Sequence, residues 1–357
     1  MCAKKTIGVG AVLAAILSSF GGPHPVCVQL AEGYNCWPMI QSVRGKLVCV
    51  YTSGTRHDPG ERGRGTFART SSDGGRTWSA RVTVAQDPKK GQTPVAKGLD
   101  ETGDMLVWVR CYGGGPLMAL YRTKDGSSFE RVAEPALDKG PMMQITDVFR
   151  VPKVGLMSFW FGGSYADDNR PRRWGTMTSR DNGKTWEQRV CGENMRRADW
   201  PTEPSGFALD DGRVFCVART EGAAGQMQLT SLDSGKTWKV RHTNILDVKS
   251  STPSLLYDAK TDIVYNHYYQ RGPGKLKRRS ARLADIFEHP EEWPAPETLV
   301  DDGGQEHHAG NVNATFLDGR QFVTWYTGNE RSCSVMVMEV PPVNGIREDR
   351  PSGSSVR

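Results

Sequence analysis

An all-β fold, a six-bladed β-propeller of four-stranded antiparallel blades, is what the sequence predicts, on three observations. One pattern recurs: Ser71-Ser72-Asp73-Gly74-Gly75-Arg76-Thr77-Trp78, then Ser179-Arg180-Asp181-Asn182-Gly183-Lys184-Thr185-Trp186, then Ser231-Leu232-Asp233-Ser234-Gly235-Lys236-Thr237-Trp238. A worn copy, Thr123 to Phe129, lies between the first two, so the aspartates at 73, 125, 181 and 233 are spaced 52, 56 and 52 apart. A fixed period of this size marks a repeated supersecondary unit, and residues 30–340 hold about six such units, a usual propeller number. Between the copies, short apolar runs alternate with Gly-rich turns, and the 40 glycines and 21 prolines suit many short strands.

The repeat has its own turn chemistry. An Asp side chain bonds nearby backbone amides, and the following Gly accepts positive φ. The Trp then enters the next strand and packs under the turn. These residues therefore read as structural.

In chain order, residues 1–28 form an apolar N-terminal segment, 29–345 the propeller and 346–357 a charged, Ser/Gly/Pro-rich tail that reads as frayed. Hairpin turns at Arg44-Gly45, Thr102-Gly103-Asp104, Asp211-Gly212 and Asp318-Gly319 each precede an apolar strand: Leu47–Tyr51, Met105–Val109, Val214–Ala218 and Gln321–Tyr326. Met157–Phe161 and Ile263–Tyr269 play this part in the third and fifth units. Each strand runs into a Gly-rich loop, and in a propeller such loops gather on one face, where sites are built. The fifth and sixth units lack the box; Ser280–Trp293, with a short helix expected at Ala284–Phe287, replaces it in the fifth.

The net charge of +6 suits an anionic ligand as well as a solvated basic surface. No zinc-finger spacing, P-loop or RNA-binding signature accompanies the short basic runs, which argues against nucleic acid. The eight cysteines form no CxxC pair; Cys49 and Cys216 lie in apolar strands and read as buried thiols of a chain folding in a reducing compartment. The N-terminus points the other way. Its charged start and the apolar run Ile7–Leu17 have a signal peptide's outline, while the run is too short to span a bilayer. A cleaved segment implies a secreted or periplasmic protein; a retained one, a cytoplasmic or virion-associated protein.

The fourth unit carries the most informative side chains. Pairing the strands symmetrically about Asp210-Asp211-Gly212 sets Leu209 against Arg213 and Glu203 against Arg219, side by side on one face. A structural ion pair explains this as well as a site does.

Together, the three boxes and this hairpin resemble the sialidase (neuraminidase) superfamily, six-bladed propellers whose Asp boxes lie away from the active site. The resemblance implies that Glu203 is the catalytic base and Arg219 a receptor for the substrate carboxylate, as a bidentate Arg suits. It implies a second carboxylate-binding Arg at Arg271, with Arg278 or Arg279 in competition. It places the acid/base Asp in the loop after Leu47–Tyr51, at Asp58 in Arg56-His57-Asp58-Pro59, with His57 as a proton shuttle. Ordinary Asp-Pro turn chemistry explains Asp58 too. Two departures stand out. Cys36 occupies the place of the family's first Arg, and His307-His308-Ala309-Gly310-Asn311 replaces the segment with the nucleophilic Tyr. His308 is then expected to bind substrate or position a water. Asn311 and Tyr326 complete the expected substrate-binding set. Phage endosialidases show similar departures.

The resulting expectation is a glycoside hydrolase acting on sialylated or related acidic glycans, exo or endo, by direct water attack, with no cofactor or metal. The alternative is a non-catalytic propeller that binds acidic glycans, or an adhesion module.

Overall fold

The computed structural model describes residues 24–30, 32–114, 117–136, 144–221, 225–249 and 251–343. Most of the N-terminal segment and the whole C-terminal tail lie outside them. Strand β1 (Val26–Gln29) is followed by five complete blades in chain order. The first is β2 (Tyr34–Val43), β3 (Lys46–Gly54), β4 (Gly65–Ser71) and β5 (Val82–Ala85). The second is β6 (Gly91–Leu99), β7 (Met105–Tyr112), β8 (Met118–Thr123) and β9 (Glu130–Ala133). The third is β10 (Gln144–Val151), β11 (Gly155–Gly162), β12 (Arg173–Ser179) and β13 (Glu187–Gly192). The fourth is β14 (Thr202–Ala208), β15 (Val214–Arg219), β16 (Gln226–Ser231) and β17 (Lys239–His242). The fifth is β18 (Ser254–Asp258), β19 (Ile263–Gln270), β20 (Lys275–Arg282) and β21 (Glu297–Asp301).

The sixth blade, β22 (Gly310–Leu317), β23 (Arg320–Gly328) and β24 (Cys333–Val340), takes its outer strand from the N-terminus: β1 pairs antiparallel with β24, Val26 opposite Val337. This closes the ring and leaves no long edge open between first and last blades. The expected boundary between residues 28 and 29 therefore falls inside a propeller strand.

Among the described residues, apolar clusters fill all six spaces between blades, with two of them, one around Tyr51 and one around Tyr34 and Tyr326, between the sixth and the first. The second strand of each blade is buried on both faces, which is why it reads as a continuous apolar run. Along β3, Leu47, Cys49 and Tyr51 pack toward the sixth blade and Val48 and Val50 toward the second, following the period of two. Inner strands approach closely at Gly98, where a Cβ would stand 1.9 Å from the carbonyl oxygen of Val148; only Gly fits there. The seven described cysteines are all free, and Cys49 and Cys216 are buried as expected.

The boxes act as wedges. In the first, Gly75 N donates to Ser71 Oγ (2.8 Å), Thr77 N to Asp73 Oδ1 (3.0 Å) and Trp78 Nε1 to Gly75 O (3.1 Å). The other two repeat these bonds within 0.2 Å. Trp78, Trp186 and Trp238, and Phe129 of the worn copy, each enter the cluster shared with the preceding blade. The fifth blade has no box, and helix α1 (Leu283–Ile286) supplies its wedge: Leu283, Ile286, Phe287 and Trp293 fill the space against the fourth blade.

Candidate functional site

A cavity of about 480 Å³ lies on the propeller axis near the start of the inner strands. Every blade contributes to its wall, among them Trp37, Pro94, Asp147, Glu203, Pro253 and Asn311. The boxes lie at the other end of the blades, where Ser234 N donates to Gly212 O in the β14–β15 turn (3.1 Å).

The inner strands present these side chains by a shared device. β2, β10, β14 and β22 each slip register near their start, and each slip holds a non-glycine residue in the left-handed region: Trp37 (φ 50°), Asp147 (φ 43°), Glu203 (φ 48°) and Asn311 (φ 46°). That conformation costs about 1–2 kcal/mol per residue, and here it coincides with a side chain on the cavity wall. The slip corrects the expected pairing. The β14–β15 ladder runs symmetrically from Ala208 opposite Val214 to Ser205 opposite Val217, then shifts, so Arg219 stands opposite Thr202. Glu203 still reaches Arg219, with Oε2 at 2.6 Å from Nη1.

Arg219 is held by two carboxylates: its Nη2 lies 2.7 Å from Glu221 Oε1, and its guanidinium stacks 5.3 Å from the Tyr165 ring. Burial opposes its charge, but Glu203, Tyr165 and Glu221 outweigh that and raise its pKa. Burial pushes the Glu221 carboxyl up, against the pull of Arg219. Arg271, almost fully buried, donates from Nε to Ala309 O and from Nη2 to Asn311 Oδ1, both at 3.2 Å. Arg219, Arg271, Glu203, Asn311 and His57 all line the cavity. The competitors Arg278 and Arg279 do not. Arg278 pairs with Glu297, and Arg279 with Asp247.

Three expected residues are turned elsewhere. Asp58 accepts from Gly60 N and from Arg56 Nη2, both at 2.9 Å, so its carboxylate is spent on the turn. His57 and Pro59 of the same loop face the cavity instead. His308 Nδ1 meets the buried Tyr34 hydroxyl at 2.7 Å, and its neighbour His307 lines the cavity. Tyr326 is fully buried and donates to His307 O (2.6 Å), bracing that segment rather than meeting a ligand.

His57 stands at the mouth among aromatic rings, 5.1 Å from Trp37 and 6.2 Å from both His307 and His308. It keeps contact with solvent, yet the wall around it and the positive charge of Arg271 lower its pKa to about 4. His307 is lowered for the same reasons. Cys36, where the resemblance leads one to expect an arginine, is buried beside an arginine from elsewhere. Arg64 Nη1 lies 3.6 Å from its Sγ. This guanidinium is turned to Glu61 (3.0 Å) and to the carbonyls of Asp58 and Arg56, tying down the loop that carries His57. Gly54 makes room for it, since a Cβ there would stand 2.5 Å from the Arg64 guanidinium carbon.

The sequence reading missed Asp147, Tyr112, Tyr165, Glu221 and Arg64. Tyr165 and Glu221 lie in loops beyond β11 and β15, and the Gly-rich loop pattern was the signal that pointed there. Burial raises the pKa of both cavity tyrosines, Tyr112 and Tyr165, and Glu203 adds to the rise at Tyr165.

Comparison with known proteins places the fold. Residues 45–308 match the family described as BNR repeat-like domain. No curated protein matches. Among solved structures, a Dyadobacter fermentans protein of unknown function is similar over 90% of this chain and 100% of its own, at 15% identity and TM-score 0.73. A Hadza microbial sialidase is similar over 88% and 68%, at 16% identity and TM-score 0.69. The phage phi92 endosialidase is similar over 94% and 71%, at 11% identity and TM-score 0.63. At these identities the likeness is one of fold.

Proposed function

This chain belongs to the BNR repeat-like domain family, and we propose that it is a glycoside hydrolase of the sialidase type, acting on sialic acid or a related acidic sugar. The observation that carries this reading is that Arg219, Arg271 and Glu203, from three strands or loops of two blades, open on one cavity. Arg219 and Arg271 receive the substrate carboxylate. Glu203 takes a proton from a water that attacks the anomeric carbon, the glycosidic C–O bond breaks, and the leaving oxygen takes a proton from the imidazolium form of His57 at the mouth, a form its lowered pKa of about 4 confines to acid pH, so turnover is expected to rise as pH falls toward 4. His57 fills this role because the Asp58 carboxylate is bound in its turn. No tyrosine enters from the sixth-blade segment His307–Asn311. Tyr112 and Tyr165 are held protonated, so a phenolate nucleophile has no support, and direct attack gives the inverted anomer.

The test is release of sialic acid from a fluorescent sialoside and digestion of polysialic acid, with NMR of the first-formed anomer. Turnover with inversion, lost in Glu203→Gln, is expected; a retained first anomer overturns direct attack. One observation favours a second reading, a non-catalytic acidic-glycan binder: both Nη groups of Arg219 are already engaged by glutamates. Glycan binding without turnover on either substrate decides for it.

A further inference from the structure

A second, polar chamber of about 300 Å³ adjoins the cavity, and Asp147 and Ser205 stand in the walls of both. The proposed reaction uses neither. Asp147 Oδ2 accepts from Ser205 Oγ (2.7 Å) and Gly206 N (3.2 Å). Among the described residues no group bonds its Oδ1. Across the chamber Lys97 donates from Nζ to Gln41 Oε1 (3.0 Å) and to Ala314 O (3.1 Å), which leaves one of its three hydrogens over. The two charges interact without forming a direct ion pair. An ion pair made for stability closes on itself. This one does not close: each partner is bonded to neutral groups, an acceptor and a donor are left over, and both residues line the chamber.

We propose that Asp147 and Lys97 form a subsite for the hydroxylated side arm of the bound sugar, the arm reaching toward the wall that the two spaces share while the carboxylate meets Arg219 and Arg271. The subsite rests on the acidic-sugar reading above and names which part of such a sugar selects it. Adjacent hydroxyls satisfy both groups at once, one donating to Asp147 Oδ1 and one accepting from Lys97 Nζ. The left-handed backbone at Asp147 (φ 43°) then has the purpose it has at Glu203, to bring a carboxylate onto the wall.

The test compares equilibrium binding of free sialic acid with that of the same sugar whose side arm has been shortened by periodate and borohydride with the anomeric centre blocked as a methyl glycoside, then freed by mild acid. Neither is a glycoside, so turnover does not intervene. Wild type is expected to favour the full arm by about 10- to 100-fold, as for hydrogen bonds to charged groups. Asp147→Asn keeps an acceptor for Ser205 and Gly206, and Lys97→Met keeps the stem. Both are expected to bring the ratio to within a few-fold while leaving affinity for the shortened sugar unchanged. Equal binding of the two sugars by wild type, or an undiminished ratio in Asp147→Asn, overturns the subsite and leaves the acidic-sugar reading standing. Binding of neither sugar by wild type overturns both.

Discussion

At the lower end of the blades, Asp73, Asp181 and Asp233 repeat the same bonds, each to partners no more than four residues away. At the upper end, Arg219, Arg271, His57 and Asn311 meet from four blades, and the wall mixes cationic, acidic, amide and aromatic side chains. The lower end is local in sequence and uniform; the upper end is remote in sequence and individual. The boxes, and helix α1 in the fifth blade, wedge neighbouring blades apart at the lower end, and each inner strand delivers its early residues to the axis. What those residues are is then free to vary. Trp37, Asp147, Glu203 and Asn311 share a backbone conformation and a place on the wall, but present an indole, two carboxylates and an amide.

Substitutions break this comparison most sharply at Arg219. Arg219→Met leaves Glu203 and Glu221 buried without their cation, and is expected to abolish ligand binding and cost about 3–5 kcal/mol in denaturant unfolding. An unchanged unfolding midpoint would show that water, not Arg219, holds the two carboxylates. Glu203→Gln keeps the shape. It should lower turnover by about 10²–10⁴-fold with little change in melting temperature. At the other end, Asp181→Ala should do the reverse: a loss of about 0.5–2 kcal/mol, as for other side chains that satisfy orphan amides, with ligand affinity kept. A change in affinity there would mean that the two ends are coupled.

pH separates the ends as well. Burial works against the charge of Asp181 and Asp233, but the bonds from Thr185 and Thr237 win and hold each pKa at about 2. Their folded-state values are depressed, so the stability they give is present above the unfolded carboxyl pKa and is lost as pH falls from about 4 to about 2. His57 is also lowered, but it is a base. Between its unfolded value and about 4 the unfolded chain binds the extra proton, so stability falls as pH drops through that window. Replacing His57 with Asn should make the melting-temperature profile shallower between pH 6.5 and 4, with the remaining slope carried by His267 and His307, whose values are lowered too, and leave the steeper loss below pH 4 untouched. The smallest effect is expected at Asp58. With its carboxylate bonded to Gly60 and Arg56, Asp58→Asn should change turnover less than 10-fold, where a general acid would lose about 10²–10⁴-fold.

The sequence by itself determined the blade count, the register of the boxes and the two-sided burial of the second strands, because each is written in neighbouring residues: an Asp-Gly turn, a Trp a few positions on, an unbroken apolar run. It also brought Glu203 to Arg219, since a tight hairpin limits how far two paired side chains can stray. The structure decided the rest. The slip in β14 moved the pairing by one residue without parting the two side chains. It put Arg64 beside Cys36, chose His307 over His308 for the cavity and spent Asp58 on its turn. It also set Asp147 and Lys97 across the axis from each other. Apart from the Asp58 turn, whose partners lie two residues away, none of these depends on residues near one another in the chain. The others depend on how six blades fan around an axis, and on which side chains that closure leaves facing one another in the space it encloses.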